Sequence, residues 1–171
     1  MNDFVARPTS MGRLAVFYVI YHAFALVVLA AIFWAIDSYT SLDSSSSGSA
    51  MGILIPLLCA MQAGSHYYER TRTLPSKGFR WRVALMFTAI AIAISAALLW
   101  LWFSTGLLAE ELPELRNGMD SQFLMIAAGV LAFLAVVLLF VHRFAFGMGL
   151  RQGEKYLQAQ QKKAARKAGS A

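Results

Sequence analysis

Charge is scarce in this chain: 14% of its residues are charged, against about 25% in an ordinary soluble domain. Only nine residues are acidic, and 58% are hydrophobic. The chain therefore lacks the material for a fully solvated surface. It also has a single cysteine, Cys59, which excludes an internal disulfide and a CxxC redox pair. A four-helix thiol-oxidising membrane enzyme is excluded on the same ground.

Catalytic and cofactor motifs are missing too. The sequence contains no nucleophile–base pair, no phosphate-binding glycine loop and no metal-ligand spacing, so we predict neither an enzyme nor a bound cofactor or metal. Haem ligation would need two histidines on facing helices, but His22, His66 and His142 are expected at different depths. No acidic residue lies inside an apolar run, which makes a small proton-coupled multidrug exporter a poor match.

Four long uncharged apolar runs dominate the sequence. A helix needs roughly 20 apolar residues to cross a hydrocarbon core of about 30 Å. We therefore predict an all-α polytopic membrane protein, a bundle of four transmembrane helices within residues 1–151, followed by a basic cytoplasmic tail at 152–171. The predicted helices lie at about 14–36, 50–68, 83–108 and 123–150.

The basic residues predict the orientation of this bundle. Fourteen of the 15 Lys and Arg residues fall in the N-terminal segment, the second loop and the C-terminal stretch, whereas the first and third loops carry six of the nine acids and only Arg116. By the positive-inside rule both termini face the cytoplasm. Trp34, Trp100, Trp102 and Trp81 fall at predicted membrane interfaces. The net charge of +6 is thus a topology signal, and we expect no nucleic-acid partner.

Five polar residues are candidates for a partner-binding site or for intramembrane polar contacts. His22 is an ionisable residue deep in the first helix, four positions after Tyr18. Gln62, His66 and Glu69 are spaced to share one face of the second helix, and Arg72 extends that face. Such a face must look into the bundle or toward a partner. Two interpretations stay open, namely interhelical hydrogen bonds within the bundle and contacts with a partner.

Packing features complete the prediction. Pro56 lies inside the second helix, with Gly52 one turn earlier on nearly the same face, a pattern of a packing kink or of a partner groove. Small residues recur every four positions in the third and fourth helices, which predicts close packing there. These ladders are Ala89, Ala93, Ala97 and Ala128, Ala132. The glycine-containing end of the fourth helix, "HRFAFGMGLRQG", is expected to be loose, and Pro75 and Gly78 to turn the second loop.

The second loop also carries a resemblance. "AGSHYY" with Gly64, a charged stretch, and "LPSKGFRWRVAL" with Pro75 and Trp81 resemble the second-to-third helix junction of the ABZJ-type family. Members of that family are small four-helix bacterial inner-membrane proteins without an assigned activity. The resemblance implies a bacterial inner membrane and the same bundle, and it supplies no catalytic residues.

Two classes of function follow. The first is a non-enzymatic protein that acts by protein–protein interaction within the bilayer, in its sharpest form an immunity protein that neutralises a membrane-acting toxin. An accessory subunit of a transport or envelope complex fits the same residues. The second class is a small oligomeric channel or transporter. The expected partners are the lipid bilayer and another membrane protein, with a homo-oligomer as a further alternative.

Overall fold

The computed structural model describes residues 9–39, 48–105 and 121–168, with the side chains of 37, 48–51, 102, 103, 123, 124, 167 and 168 left out. These residues form four helices and no strand: α1 (Met11–Tyr39), α2 (Gly48–Thr71), α3 (Lys77–Ser104) and α4 (Ser121–Ala168). The first and third loops, with Asp43, Glu110, Glu111, Glu114, Arg116 and Asp120, lie outside the described residues, as does the side chain of Trp102.

The all-helical class is confirmed. Three helical stretches in the described residues are long and apolar enough to cross a membrane, namely Met11–Ile36, Lys77–Leu101 and Met125–Arg166. Helix α2 is not among them. The fourth span and the orientation of the termini therefore remain predictions. The last helix runs through Ala168 without a break, so the predicted tail boundary at 151 falls inside α4.

Local side chains fix where the helices begin and end. Ser10 and Ser76 cap α1 and α3, because their Oγ atoms accept hydrogen bonds from the N–H groups of Arg13 (3.3 Å) and Phe79 (3.2 Å). Helix α2 ends at Thr71. The next residue, Arg72, has a left-handed φ of 54°, and its N–H donates to the Tyr68 carbonyl at 2.8 Å. The turn between α2 and α3 includes Pro75, as predicted. Gly78 instead belongs to the first turn of α3.

The helices form a ring in the order α1, α2, α4, α3. The contact between α2 and α4 is the most extensive one, followed by those of α3 with α4, α1 with α2 and α1 with α3. Helices α2 and α4 run parallel. Gly64 meets Phe146 and Gly149, and further along both helices Ser65 meets Gly153. Sequence neighbours α1 and α2 are antiparallel.

Two glycines allow the close approach of α2 and α4. A Cβ at Gly64 would collide with the carbonyl oxygen of Phe146, and one at Gly149 would collide with that of Met61. Phe146 and Leu150 are buried at the same contact. The end of the fourth helix is thus tightly packed, and the prediction of a loose end was wrong. Gly149 and Gly153 are needed there for close backbone contact with Met61 and Ser65 rather than for flexibility.

The predicted alanine ladders do not form the helix contacts. Ala89, Ala93 and Ala97 are exposed, as are Ala128 and Ala132. On α3 the buried alanines are Ala84 and Ala91, which lie on the opposite face of the helix. The ladders lie on the outer surface of the bundle, so small residues at this spacing do not mark the helix contacts of this chain.

Candidate functional site

A row of buried polar side chains crosses the core of the bundle. The Tyr18 hydroxyl on α1 lies 2.8 Å from Nε2 of His142 on α4. The same hydroxyl lies 3.3 Å from Nδ1 of His22, one turn further along α1. On the other side of the His142 ring, Nδ1 lies 2.9 Å from Oγ1 of Thr88 on α3. Four side chains from three helices are therefore joined by three hydrogen bonds.

The row is closed off by aromatic side chains. Tyr18 and His142 are fully buried, and His22 and Thr88 nearly so. The Tyr18 ring stacks on Phe87 with centroids 4.2 Å apart, and Phe87 meets Phe146 edge to face. Polar groups enclosed in this way have a large cost unless they are hydrogen-bonded, so each bond in the row stabilises the packing around it.

The donors and acceptors of this row can be arranged in two ways. In one, His22 Nδ1–H donates to Tyr18, Tyr18 donates to His142 Nε2, and His142 Nδ1–H donates to Thr88. In the other, every donor and acceptor is exchanged, which the hydroxyl and imidazole groups permit. The arrangement determines whether Nε2 of His22 is an acceptor or a donor. A group that binds His22 would therefore select the tautomer of His142 as well.

His22 also lines a cleft of about 210 Å³ between the helices. All four helices contribute to its wall, and nearly all of that wall is apolar. The lining residues include Leu26 and Leu29 of α1, Gly52 and Pro56 of α2, Ile94, Ser95 and Leu98 of α3, and Leu138 of α4. His22 and Ser95 are the polar side chains of this lining. An apolar pocket with a few convergent polar groups is the usual form of a binding site.

The predicted polar face of α2 is divided by the structure. Gln62 is exposed on the outside of the bundle, and its role in a polar contact stays a prediction. His66 instead stacks on Phe17 of α1, with ring centroids 4.3 Å apart and planes 10° apart. Glu69 is half-buried and accepts a long hydrogen bond of 3.5 Å from Ser65.

Arg72 lies at a different place again. It lines a second cleft, of about 500 Å³, between the end of α2 and the basic extension of α4, with Tyr68, Glu154 and Gln158. The structure thus does not gather His22, Gln62, His66, Glu69 and Arg72 into one site. His22 is the member of this set that lies in the buried row.

The expectation that His22 and His142 lie at different depths was wrong. Both histidines hydrogen-bond to one hydroxyl, that of Tyr18. Sequence reasoning named His142 only as a haem candidate and missed Thr88. A signal existed for His142, because it is an ionisable residue directly after a long uncharged run, whereas nothing in the sequence singles out Thr88. Among the described residues, no three His, Cys, Asp or Glu side chains lie together as a metal site.

Comparison with known proteins finds no matching family model, no matching curated protein and no matching solved structure. The resemblance of the α2–α3 junction to the ABZJ-type family stays a prediction.

Proposed function

We propose that this chain is a multi-pass protein of the bacterial inner membrane that acts without catalysis, by binding another membrane-embedded protein. The proposal includes four membrane spans with both termini in the cytoplasm. Its best-fitting form is an immunity protein that neutralises a membrane-acting toxin. The placement in the inner membrane rests on the distribution of basic residues and on the resemblance of the α2–α3 junction.

The packing of α2 supports a fourth span. Its 24 residues would extend about 36 Å at 1.5 Å per residue, enough for a hydrocarbon core. Ile55, Cys59, Ala60 and Ala63 are buried by the neighbouring helices. A helix that is largely surrounded by protein needs less hydropathy than one surrounded by lipid, which accounts for the lower hydropathy of α2.

The observation that carries the proposal is His22 in its apolar cleft. Tyr18 holds the ring through Nδ1, and Nε2 is then the ring nitrogen available to an occupant of the cleft. An intramembrane ionisable residue indicates function by default. We infer that the occupant is an apolar helix of the partner, with one hydroxyl, amide or carboxyl side chain that bonds to His22. Gly52 lets that helix approach α2 closely, because nothing lies within 4 Å of a Cβ built there.

An immunity role suits such a cleft. A toxin that acts on the membrane must insert into the same bilayer, where two-dimensional confinement raises its effective concentration around this protein. Binding then requires complementary packing and a polar contact rather than chemistry. The immunity role is an inference from this architecture, because a fold by itself does not determine function.

Photo-crosslinking in living cells tests the proposal. In cells challenged with the product of any neighbouring toxin-like gene, a crosslinking amino acid at Leu98, on the cleft wall, should capture that product, whereas one at Leu85 should not. Leu85 is a matched control because it lies on the same helix and is 56% exposed, but outside the cleft. His22→Leu should abolish both the crosslink and the protection of membrane potential. Equal collapse of the potential with and without this protein, with an active toxin, would contradict the immunity role.

A transport function is favoured by one other observation, the continuous row from His22 through Tyr18 and His142 to Thr88. A row of hydroxyl and imidazole groups at 2.8–3.3 Å can pass protons by exchanging donors and acceptors. Purified protein in liposomes with an imposed proton gradient discriminates the two functions. Flux that is lost in Tyr18→Phe would support a transporter, and the absence of flux would support partner binding.

A further inference from the structure

We propose that a cleft between the first turn of α3 and the middle of α4 is a binding site for the phosphate group of an anionic phospholipid. The cleft has a volume of about 480 Å³. Three arginines and two phenylalanines line it around a central glycine, namely Arg80, Arg143, Arg151, Phe140, Phe144 and Gly147. This site depends on the helical bundle and not on the proposed partner. The lipid site and the partner-binding function can therefore be disproved independently.

The three arginines indicate that the ligand is an anion. Three guanidinium groups line one cleft, and no Asp or Glu is among the described residues of its wall. Cations gathered in this way repel one another until an anion binds between them. Guanidinium groups match phosphate oxygens in charge and in hydrogen-bond geometry. Basic pockets between transmembrane helices on the cytoplasmic side are typical sites for anionic lipid headgroups.

One of these arginines is held in place by an aromatic ring, and another has a buried donor that lacks an acceptor. Cζ of Arg143 lies 4.0 Å from the centroid of the Trp81 ring, a cation–π contact that holds this guanidinium at the cleft. The Nε atom of Arg80 is buried and has no hydrogen-bond partner within the described residues. A buried donor without an acceptor is costly, and a phosphate oxygen in the cleft would satisfy it.

The apolar part of the wall favours a lipid over free phosphate. Phe140 and Phe144 lie one turn apart on α4 and are 55% and 66% exposed. They share a face with Gly147 and Arg151, so the apolar rings lead from the bilayer toward the charged end of the cleft. Acyl chains would contact the rings while the headgroup phosphate meets the arginines. Trp81 at this level is a residue typical of the membrane interface.

Gly147 allows the cleft to be filled without disturbing the bundle. In the part of the chain that the structure describes, nothing lies within 4 Å of a Cβ built at Gly147, and the same holds for Gly129, which lies earlier in α4. Gly147→Leu therefore blocks the site while keeping all three arginines. Gly129→Leu is its matched control. For charge, Arg151→Gln has the control Arg82→Gln, since Arg82 is exposed on α3 and lies outside the cleft.

The test is calorimetric titration of the detergent-purified protein. Short-chain phosphatidylglycerol, short-chain phosphatidylcholine and inorganic phosphate are each added in a separate titration. We expect saturable binding of phosphatidylglycerol, weakened about fivefold by Arg151→Gln and abolished by Gly147→Leu. Arg82→Gln and Gly129→Leu should bind as the unmodified protein does. Equal weakening by Arg151→Gln and Arg82→Gln would mean general charge attraction and would overturn the site. Competition by inorganic phosphate at micromolar concentration would overturn the lipid assignment.

Discussion

The hydroxyl of Tyr18 lies 2.8 Å from Nε2 of His142, although the two residues are 124 positions apart in the chain. This one bond joins the first helix to the last across the interior of the ring. The hydroxyl also bonds to His22 at 3.3 Å, so Tyr18 sits between two imidazoles. The bundle core and the candidate cleft are therefore parts of one hydrogen-bonded unit.

Removing this hydroxyl should destabilise the bundle. Tyr18→Phe leaves the aromatic stacking on Phe87 but removes one hydrogen bond from each of two buried imidazoles, so we expect a loss of about 1–3 kcal/mol in the free energy of unfolding. Unfolding of the purified protein in mixed micelles, followed by circular dichroism, measures it. Tyr156→Phe is the control, because Tyr156 is 55% exposed on α4. Equal stability of the two variants would mean that the buried row adds nothing to the fold.

The contact between α2 and α4 should tolerate no side chain at Gly149. Gly149→Ala places a methyl group against the Met61 carbonyl, where the neighbour is rigid backbone, and overpacking of this kind costs about 1–3 kcal/mol or more. Gly147→Ala, two residues earlier on the same helix, meets open space and should be neutral or slightly stabilising. The yield of folded monomer in detergent and its melting temperature report the difference. A Gly149→Ala variant as stable as Gly147→Ala would contradict the packing of these helices.

The alanines of α3 provide a second matched pair. Ala84 is fully buried and lines none of the clefts described above, so Ala84→Leu should destabilise the bundle by overpacking. Ala93 is exposed, and Ala93→Leu should change the free energy of unfolding by less than about 0.5 kcal/mol. Thermal unfolding at several protein concentrations measures both. A large, concentration-dependent loss for Ala93→Leu would show instead that the Ala89, Ala93, Ala97 ladder packs against a second copy of the chain.

Reporter fusions test the proposed topology. A periplasm-dependent reporter fused after Ser46 or Asn117 should be active, because these loops carry few basic residues. The same reporter fused after Leu74 or Lys163 should be silent. Immunoblotting must show equal amounts of all four fusions. An active fusion after Leu74 would place the α2–α3 turn outside and exclude the arrangement with four spans and both termini in the cytoplasm.

The sequence by itself determined that the chain is helical and apolar enough for a membrane. Those are local properties, since uncharged runs of this length can satisfy their backbone in lipid only as helices. The predicted bounds of α1 and α2 lie within three residues of the observed ones. Helix α3 instead begins six residues earlier than predicted, at Lys77, and α4 runs 18 residues past its predicted end, to Ala168. The sequence also identified His22 as a candidate site residue, because an ionisable side chain inside an apolar run is visible without knowledge of the fold. It did not determine which face of each helix packs inward.

Only the tertiary structure decided the helix contacts and the buried row. In a membrane both the lipid and the protein interior are apolar, so hydrophobic periodicity carries little information about which face is buried. The ladder at Ala89, Ala93 and Ala97 was therefore indistinguishable from a packing surface, and the backbone contact at Gly64 and Gly149 was hidden in a stretch that looked loose. The bond from Tyr18 to His142 depends on how α1 and α4 meet across the ring. That arrangement is a property of all four helices together, and no local pattern encodes it.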